Sequence, residues 1–226
     1  MKFLLNTALA LVFLSALPAI SRAGDASSLA VLHEINLART NPHAYAQFIM
    51  TYADPRSKND PRAMEEAVRF LEHAKPLPPL AYSEGLSRSA ETHVLDQGSA
   101  GTFGHQGTDH SSPFDRMARF GRWITGAGEN ISYGISDSRQ IVISLIVDAG
   151  VFGRGHRKNL FLARYAEAGV ACGAHAKYGA MCVIDFADHF VPNESARHTA
   201  AAHKSAPLIT TANIAQNRSW NFGGGL

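Results

Sequence analysis

Cysteine is scarce in this chain: its 226 residues include only Cys172 and Cys182. No Cys-x-x-Cys spacing exists, which excludes the common zinc-ribbon and zinc-finger patterns. His-Glu-x-x-His is missing too, so no single helix supplies two metal ligands. An excess of charge of one sign is also lacking. The chain has 21 basic and 19 acidic residues, and Lys2 and Arg22 fall in an N-terminal segment with the marks of a leader. Without them the balance is 21 − 2 = 19 basic against 19 acidic. A chain so balanced has no basic field for phosphate backbones, which argues against nucleic acid as a partner. Beyond that leader no stretch is apolar enough to span a membrane, and there are no internal repeats.

Residues 1–23 read as a signal peptide. Met1-Lys2 gives a positive start, and Phe3 to Ile20 is almost wholly apolar. Ser21-Arg22-Ala23 then places small residues at the two positions a signal peptidase reads. A membrane anchor is the rival, because the apolar run approaches the ~20 residues needed to span. The break at Pro18 and the small-x-small site favour cleavage. Cleavage leaves 226 − 23 = 203 residues, with no transmembrane anchor, exported to a secreted or periplasmic location. That length fits one domain with tails.

Helix signals dominate the first half. Ser27 or Ser28 can cap a helix starting near Leu29. Asn41-Pro42 and Asp60-Pro61 each pair a capping side chain with a first-turn proline, with a loop from Thr51 to Asp60 between the helices they start. Ser83 can cap a helix with the stripe Leu86, Ala90, Val94 and Gln97, stopped at Gly98. His93 lies near that stripe and reads as a hydrogen-bonded packing residue. Ser112-Pro113 opens a short helix with Phe114, Met117 and Phe120 inward. Ile131 and Tyr133 suggest a short extended run. Asp137 or Ser136 starts the most apolar helix, and Gly150, Gly153 and Gly155 break the chain after it.

Val170-Ala171-Cys172 and Met181 to Phe186 are the clearest strands, joined by a turn near Lys177-Tyr178-Gly179. The two cysteines sit symmetrically about Lys177, which predicts a disulfide across the hairpin; two free thiols are the other reading. From about Val191 the composition turns to Ala, Ser, Thr, Asn and His, as in a disordered tail over 191–226. Helices on both sides of a small antiparallel sheet would bury this pattern. The expected fold class is therefore α+β, a three-layer α-β-α sandwich over residues 27–190.

Three polar signatures stand between the apolar segments: Gly104-His105, Gly128-Glu129-Asn130, and Gly155-His156-Arg157-Lys158-Asn159. Two imidazoles and one carboxylate are a ligand set for catalytic zinc. The long spacing leaves assembly of such a set to the fold. Each residue also has a plain structural role available. His105 can bond backbone in a loop, Glu129 can accept backbone N–H groups, and His156 can sit in a turn.

These segments, from Phe103 to Arg116, Gly128 to Gly134 and Gly155 to Phe161, together with Ile35-Asn36-x-x-Arg39, resemble a CAP superfamily domain of bacterial type. This family is also called SCP-like and includes cysteine-rich secretory, antigen 5 and pathogenesis-related proteins. The resemblance implies an α-β-α sandwich with a cleft holding two histidines and two acidic residues. His105, Glu129 and His156 match three of them. The fourth acid, often a Glu on the preceding helix, would be Asp148, acting through water or merely capping that helix. His105 and His156 are then candidate ligands for zinc, and His105, Glu129, His156 and Asp148 candidate catalytic residues. The family has no single agreed reaction. A binding module for lipid, metal or an envelope partner stands first, with a small hydrophobic ligand as one class of partner. A zinc-assisted hydrolase or peptidase at the cell envelope is the alternative, with Glu129 orienting or deprotonating a metal-bound water. A purely structural envelope protein is the third reading.

Overall fold

A computed structural model describes residues 26–51 and 60–193. The leader at 1–23, most of the loop expected before Asp60, and the tail from 194 lie outside the described residues.

Helix α1 spans Ala26–Thr40 and α2 spans Pro42–Met50. Asn41 caps α2 by accepting from Ala44 N at 3.2 Å, with Pro42 in the first turn. Helix α3, Pro61–His73, starts the same way: Asp60 accepts from Arg62 N and Ala63 N. The Asn36 and Arg39 pair on α1 has a clear job. The Asn36 amide donates to Leu80 O and accepts from Leu80 N. Arg39, 1% exposed, donates to Leu160 O, Tyr165 O and Pro78 O. One guanidinium thus satisfies three carbonyls that no sheet ladder serves.

Strand β1, Ala81–Tyr82, leads into α4, Glu84–Ala100. Leu86, Ala90, Val94 and Gln97 are all buried, as the spacing predicts. The helix runs past Gly98, however, and ends at Gly101 with φ of 67°. Gly98 is a close-packing position: a Cβ there would stand 2.5 Å from Ala174 O. Helix α5, Pro113–Ala118, has a full capping box between Ser112 and Asp115. Met117 is buried, whereas Phe114 is half exposed and leans on Trp123. Strands β2, Gly121–Trp123, and β3, Ala127–Tyr133, follow. Helix α6, Ser138–Val147, is capped by Asp137. Residues 155–160, expected as loop, form the short helix α7, Gly155–Leu160.

The hairpin is β4, Glu167–His175, and β5, Gly179–Ala187. Cys172 and Cys182 face each other in register and are disulfide-bonded, with Cα atoms 4.0 Å apart. Val191 and Pro192, expected in the tail, belong to strand β6, Phe190–Pro192, which pairs with β2.

The main sheet has the order β1-β4-β5-β3, with β3, β4 and β5 antiparallel. Its two faces follow the period of two. Ala168, Val170, Cys182, Ile184 and Phe186 face the core shared with α1, α2, α3 and α6. Ala171, Ile131, Met181 and Val183 face Ala90 and Val94 of α4. Helices therefore cover both faces, and the fold is the expected three-layer sandwich.

Candidate functional site

Strand β3 carries the centre of the site. Glu129 points to the α4 side and Asn130 to the opposite side, since neighbours on a strand alternate. Gly128 leaves room for Tyr165: a Cβ here would stand 2.5 Å from the Tyr165 hydroxyl, which would have to shift.

The loop after α4 brings His105 to Glu129. His105 Nδ1 lies 2.8 Å from Glu129 Oε1. Arg116 Nη2, from α5, donates to Glu129 Oε2 at 2.7 Å. Both Arg116 and Glu129 have side chains only 1% exposed, while the His105 ring is 51% exposed. Arg116 also donates to His105 O and Ser111 O, so one cation fixes the ring's partner and the backbone that carries the ring.

The same loop hangs from several buried side chains. His93 Nε2 donates to Gly104 O at 2.9 Å. Gly104 N donates to the Tyr133 hydroxyl, which donates to Gln97 Oε1, and Gln97 Nε2 donates to Gln106 O. His175 Nε2 donates to Thr102 O, while its Nδ1 accepts from Lys177 N and Tyr178 N. Burial holds the His93 pKa below its ordinary value, so the ring stays neutral near pH 7.

His156 belongs to the first turn of α7. Its Nδ1 lies 2.7 Å from Asp148 Oδ1, and its backbone N donates to Asp148 Oδ2 at 2.9 Å. Asp148 is the left-handed C-cap of α6 and is 3% exposed. It both ends its helix and grips His156. Asparagines join the two pairs. Asn130 Nδ2 donates to His156 O, and Asn159 Nδ2 donates to Glu129 O and Asn130 Oδ1.

The structure thus arranges the sequence candidates as two imidazole–carboxylate pairs, His105 with Glu129 and His156 with Asp148. A carboxylate accepts, so Nδ1 is the protonated nitrogen in each neutral ring and Nε2 carries the lone pair. Among the described residues, no three His, Cys, Asp or Glu side chains are grouped to hold a metal ion. The side chains that could offer nitrogen to a ligand here are His105 and His156 through Nε2, each ring backed by an acid. Sequence reasoning missed Arg116, Tyr133, Gln97 and Asn159 as site residues. Arg116 carried a weak signal, standing within the Phe103 to Arg116 segment itself.

Among the described residues no helix is long and apolar enough to cross a membrane. No curated protein matches the chain. Two solved structures are similar. One is a Bacillus anthracis extracellular protein containing an SCP domain, at 23% identity and TM-score 0.41, covering 60% of this chain and 45% of that one. The other is an outer surface protein from Borrelia burgdorferi, at 16% identity and TM-score 0.43, covering 60% of this chain and 95% of that one. The chain thus spans under half the length of the B. anthracis protein. The model of the CAP family, described as the cysteine-rich secretory protein family, matches residues 32–186. With more than half of its length matched, the chain belongs to the cysteine-rich secretory protein (CAP) family.

Proposed function

We propose that this chain is an exported CAP module that binds a divalent metal, zinc by the chemistry of the donors, through His105 and His156, and that it acts as a binding module rather than a hydrolase. One observation carries the reading: each imidazole has its Nδ1 engaged by a buried carboxylate, which leaves the lone pair on Nε2. A bound zinc ion would supply a Lewis-acidic centre with open positions for a ligand. The protein's part is to hold both rings in the ligating tautomer and to fix their orientation.

Binding is favoured over hydrolysis by the state of the acids. Glu129 commits Oε1 to His105 and Oε2 to Arg116. Asp148 commits Oδ1 to the His156 ring and Oδ2 to the His156 amide. Both carboxylates are also shut off from solvent, with side chains 1% and 2% exposed, whereas a general base must meet its water at hydrogen-bond distance. Export rests on the leader motif at residues 1–23. A small hydrophobic ligand has its own observation in favour: Ile49, Met50, Pro61, Met64 and Val68, rimmed by Glu65 and Arg69, line a cleft of about 520 Å³.

The test is a zinc titration of the purified protein against His105→Ala/His156→Ala. Stoichiometric binding in the wild type, lost in the double variant, supports the reading. Equal binding by both, or none by either, overturns it. Turnover of an envelope glycan or peptide that disappears in Glu129→Gln with the fold intact would establish the hydrolase instead.

A further inference from the structure

Asp185 is completely buried on β5 and takes no part in the pairs described above. It stands in register opposite Glu129 on β3 and Gly169 on β4. Opposed residues of antiparallel strands share a face, with Cβ atoms about 5 Å apart. The Asp185 and Glu129 carboxyls are therefore neighbours beneath the site. On the other flank Gly169 leaves no side chain between Asp185 and α4; a Cβ there would collide with the Ser87 amide.

The groups that face Asp185 are few. Glu129 comes from β3, Ser89 from α4 and Arg116 from α5. His93, further along α4, faces Glu129 and Arg116. Glu129 and Ser89 come within reach of the Asp185 carboxyl, yet neither Asp185 oxygen has a partner in hydrogen-bonding alignment among the described residues. Two carboxyls thus share the field of one guanidinium. Adjacent buried acids cannot both ionise under those conditions, since like charges in low dielectric repel strongly. Glu129 is the one bonded to Arg116 and His105, so it keeps the charge. Burial first, and the Glu129 charge second, hold Asp185 well above the usual carboxylate range. A neutral Asp185 has an O–H to give, and Glu129 has acceptor sites left after its two bonds.

We propose that Asp185 is a positioning residue for His105 acting through Glu129: its carboxylic O–H donates to the Glu129 carboxylate and, with Arg116 and His105, completes a three-donor cradle that sets the angle of the imidazole. A carboxylate gripped from three directions has one orientation, and its partner ring inherits it. The consequence for zinc rests on the reading of His105 as a ligand; the state of the acid pair does not.

The experiment has two arms. In the first, carboxyl carbons of aspartate are labelled and the Asp185 resonance is followed with pH by NMR, in wild type and in Glu129→Gln. Asp185 stays protonated through pH 7 in the wild type, and its midpoint falls in the variant, where the neighbouring charge is gone. An Asp185 that titrates near the ordinary 3.8, or a midpoint indifferent to Glu129→Gln, overturns the proposal. In the second, zinc alone is titrated into wild type, Asp185→Asn and Asp185→Leu. The amide is neutral and still donates, so Asp185→Asn stays within about threefold of wild type. Asp185→Leu loses about tenfold or more, the usual range for an outer partner of a ligating histidine. A loss in Asp185→Asn equal to that in Asp185→Leu, or wild-type affinity in Asp185→Leu, overturns the proposal. If the wild type binds no zinc, the metal reading fails and the carboxyl titration alone decides on Asp185.

Discussion

Arg116 Nη2 and Glu129 Oε2 meet at 2.7 Å, and both side chains are 1% exposed. Removing one partner of a buried pair strands the other, which costs about 3–5 kcal/mol. Arg116→Met is therefore expected to destabilise by about 3 kcal/mol, measured as a shift in the urea midpoint at unchanged m-value. Arg116→Met/Glu129→Leu should recover much of that loss, because replacing both charges with apolar groups removes the stranded one.

Tyr133 is the hinge pin of the His105 loop. Its hydroxyl accepts from Gly104 N and donates to Gln97 Oε1. Tyr133→Phe leaves two part-buried groups without a partner, at a cost of about 1–3 kcal/mol. Hydrogen exchange at the Gly104 amide should accelerate, while amides of β4 and β5 keep their protection. Unchanged exchange at Gly104 would show that the loop is held by other contacts.

Acid should weaken the fold through His93. Burial lowers its pKa below the ordinary histidine value of 6.5. The unfolded chain then binds more protons than the folded one as pH drops through that value, and stability falls with it. The contribution is fully present above about 6.5 and is lost progressively below it. His93→Gln, which keeps a donor for Gly104 O, should flatten the stability slope between pH 7 and pH 5. An unchanged slope would assign the acid sensitivity to other groups.

Much of this arrangement was legible in the residues, and what escaped did so for physical reasons. Asn41-Pro42, Asp60-Pro61 and Ser112-Pro113 act within one turn, so local chemistry was enough to mark three helix starts. The hairpin and its disulfide were readable because both cysteines lie on clear strands at equal distance from the turn. Gly98 looked like a helix stop, yet its role is set by Ala174 O, 76 positions away in the chain by subtraction of the residue numbers. Residues 190–192 form β6 only because β2 lies beside them, and three residues carry no period to detect. Within the site, His105, Glu129 and His156 stood out in polar signatures between apolar segments, whereas Asp148 came only from the family resemblance. Their pairing did not stand out, since a ring and an acid 24 positions apart are matched only by the fold. Arg116 reads as a solvated helix face until α5 is docked against β3, where it proves buried.

Reducing the Cys172–Cys182 disulfide opens a short cross-strand loop with a sequence separation of 10. The chain-entropy model puts such a link at about 3 kcal/mol. Cys172→Ser/Cys182→Ser should lower the thermal midpoint by several degrees, while the fold remains, because β4 and β5 stay paired along their whole length. Complete unfolding of that variant at room temperature would show that the core alone is insufficient.

The central claim is that His105 and His156 together hold one metal ion, each ring set by its own acid. The most direct measurement is the zinc-edge X-ray absorption spectrum of the protein carrying one zinc per chain. The account predicts scattering from two imidazoles in the wild type and from one in either His105→Ala or His156→Ala. A spectrum with no imidazole, or one unchanged by both substitutions, would contradict it.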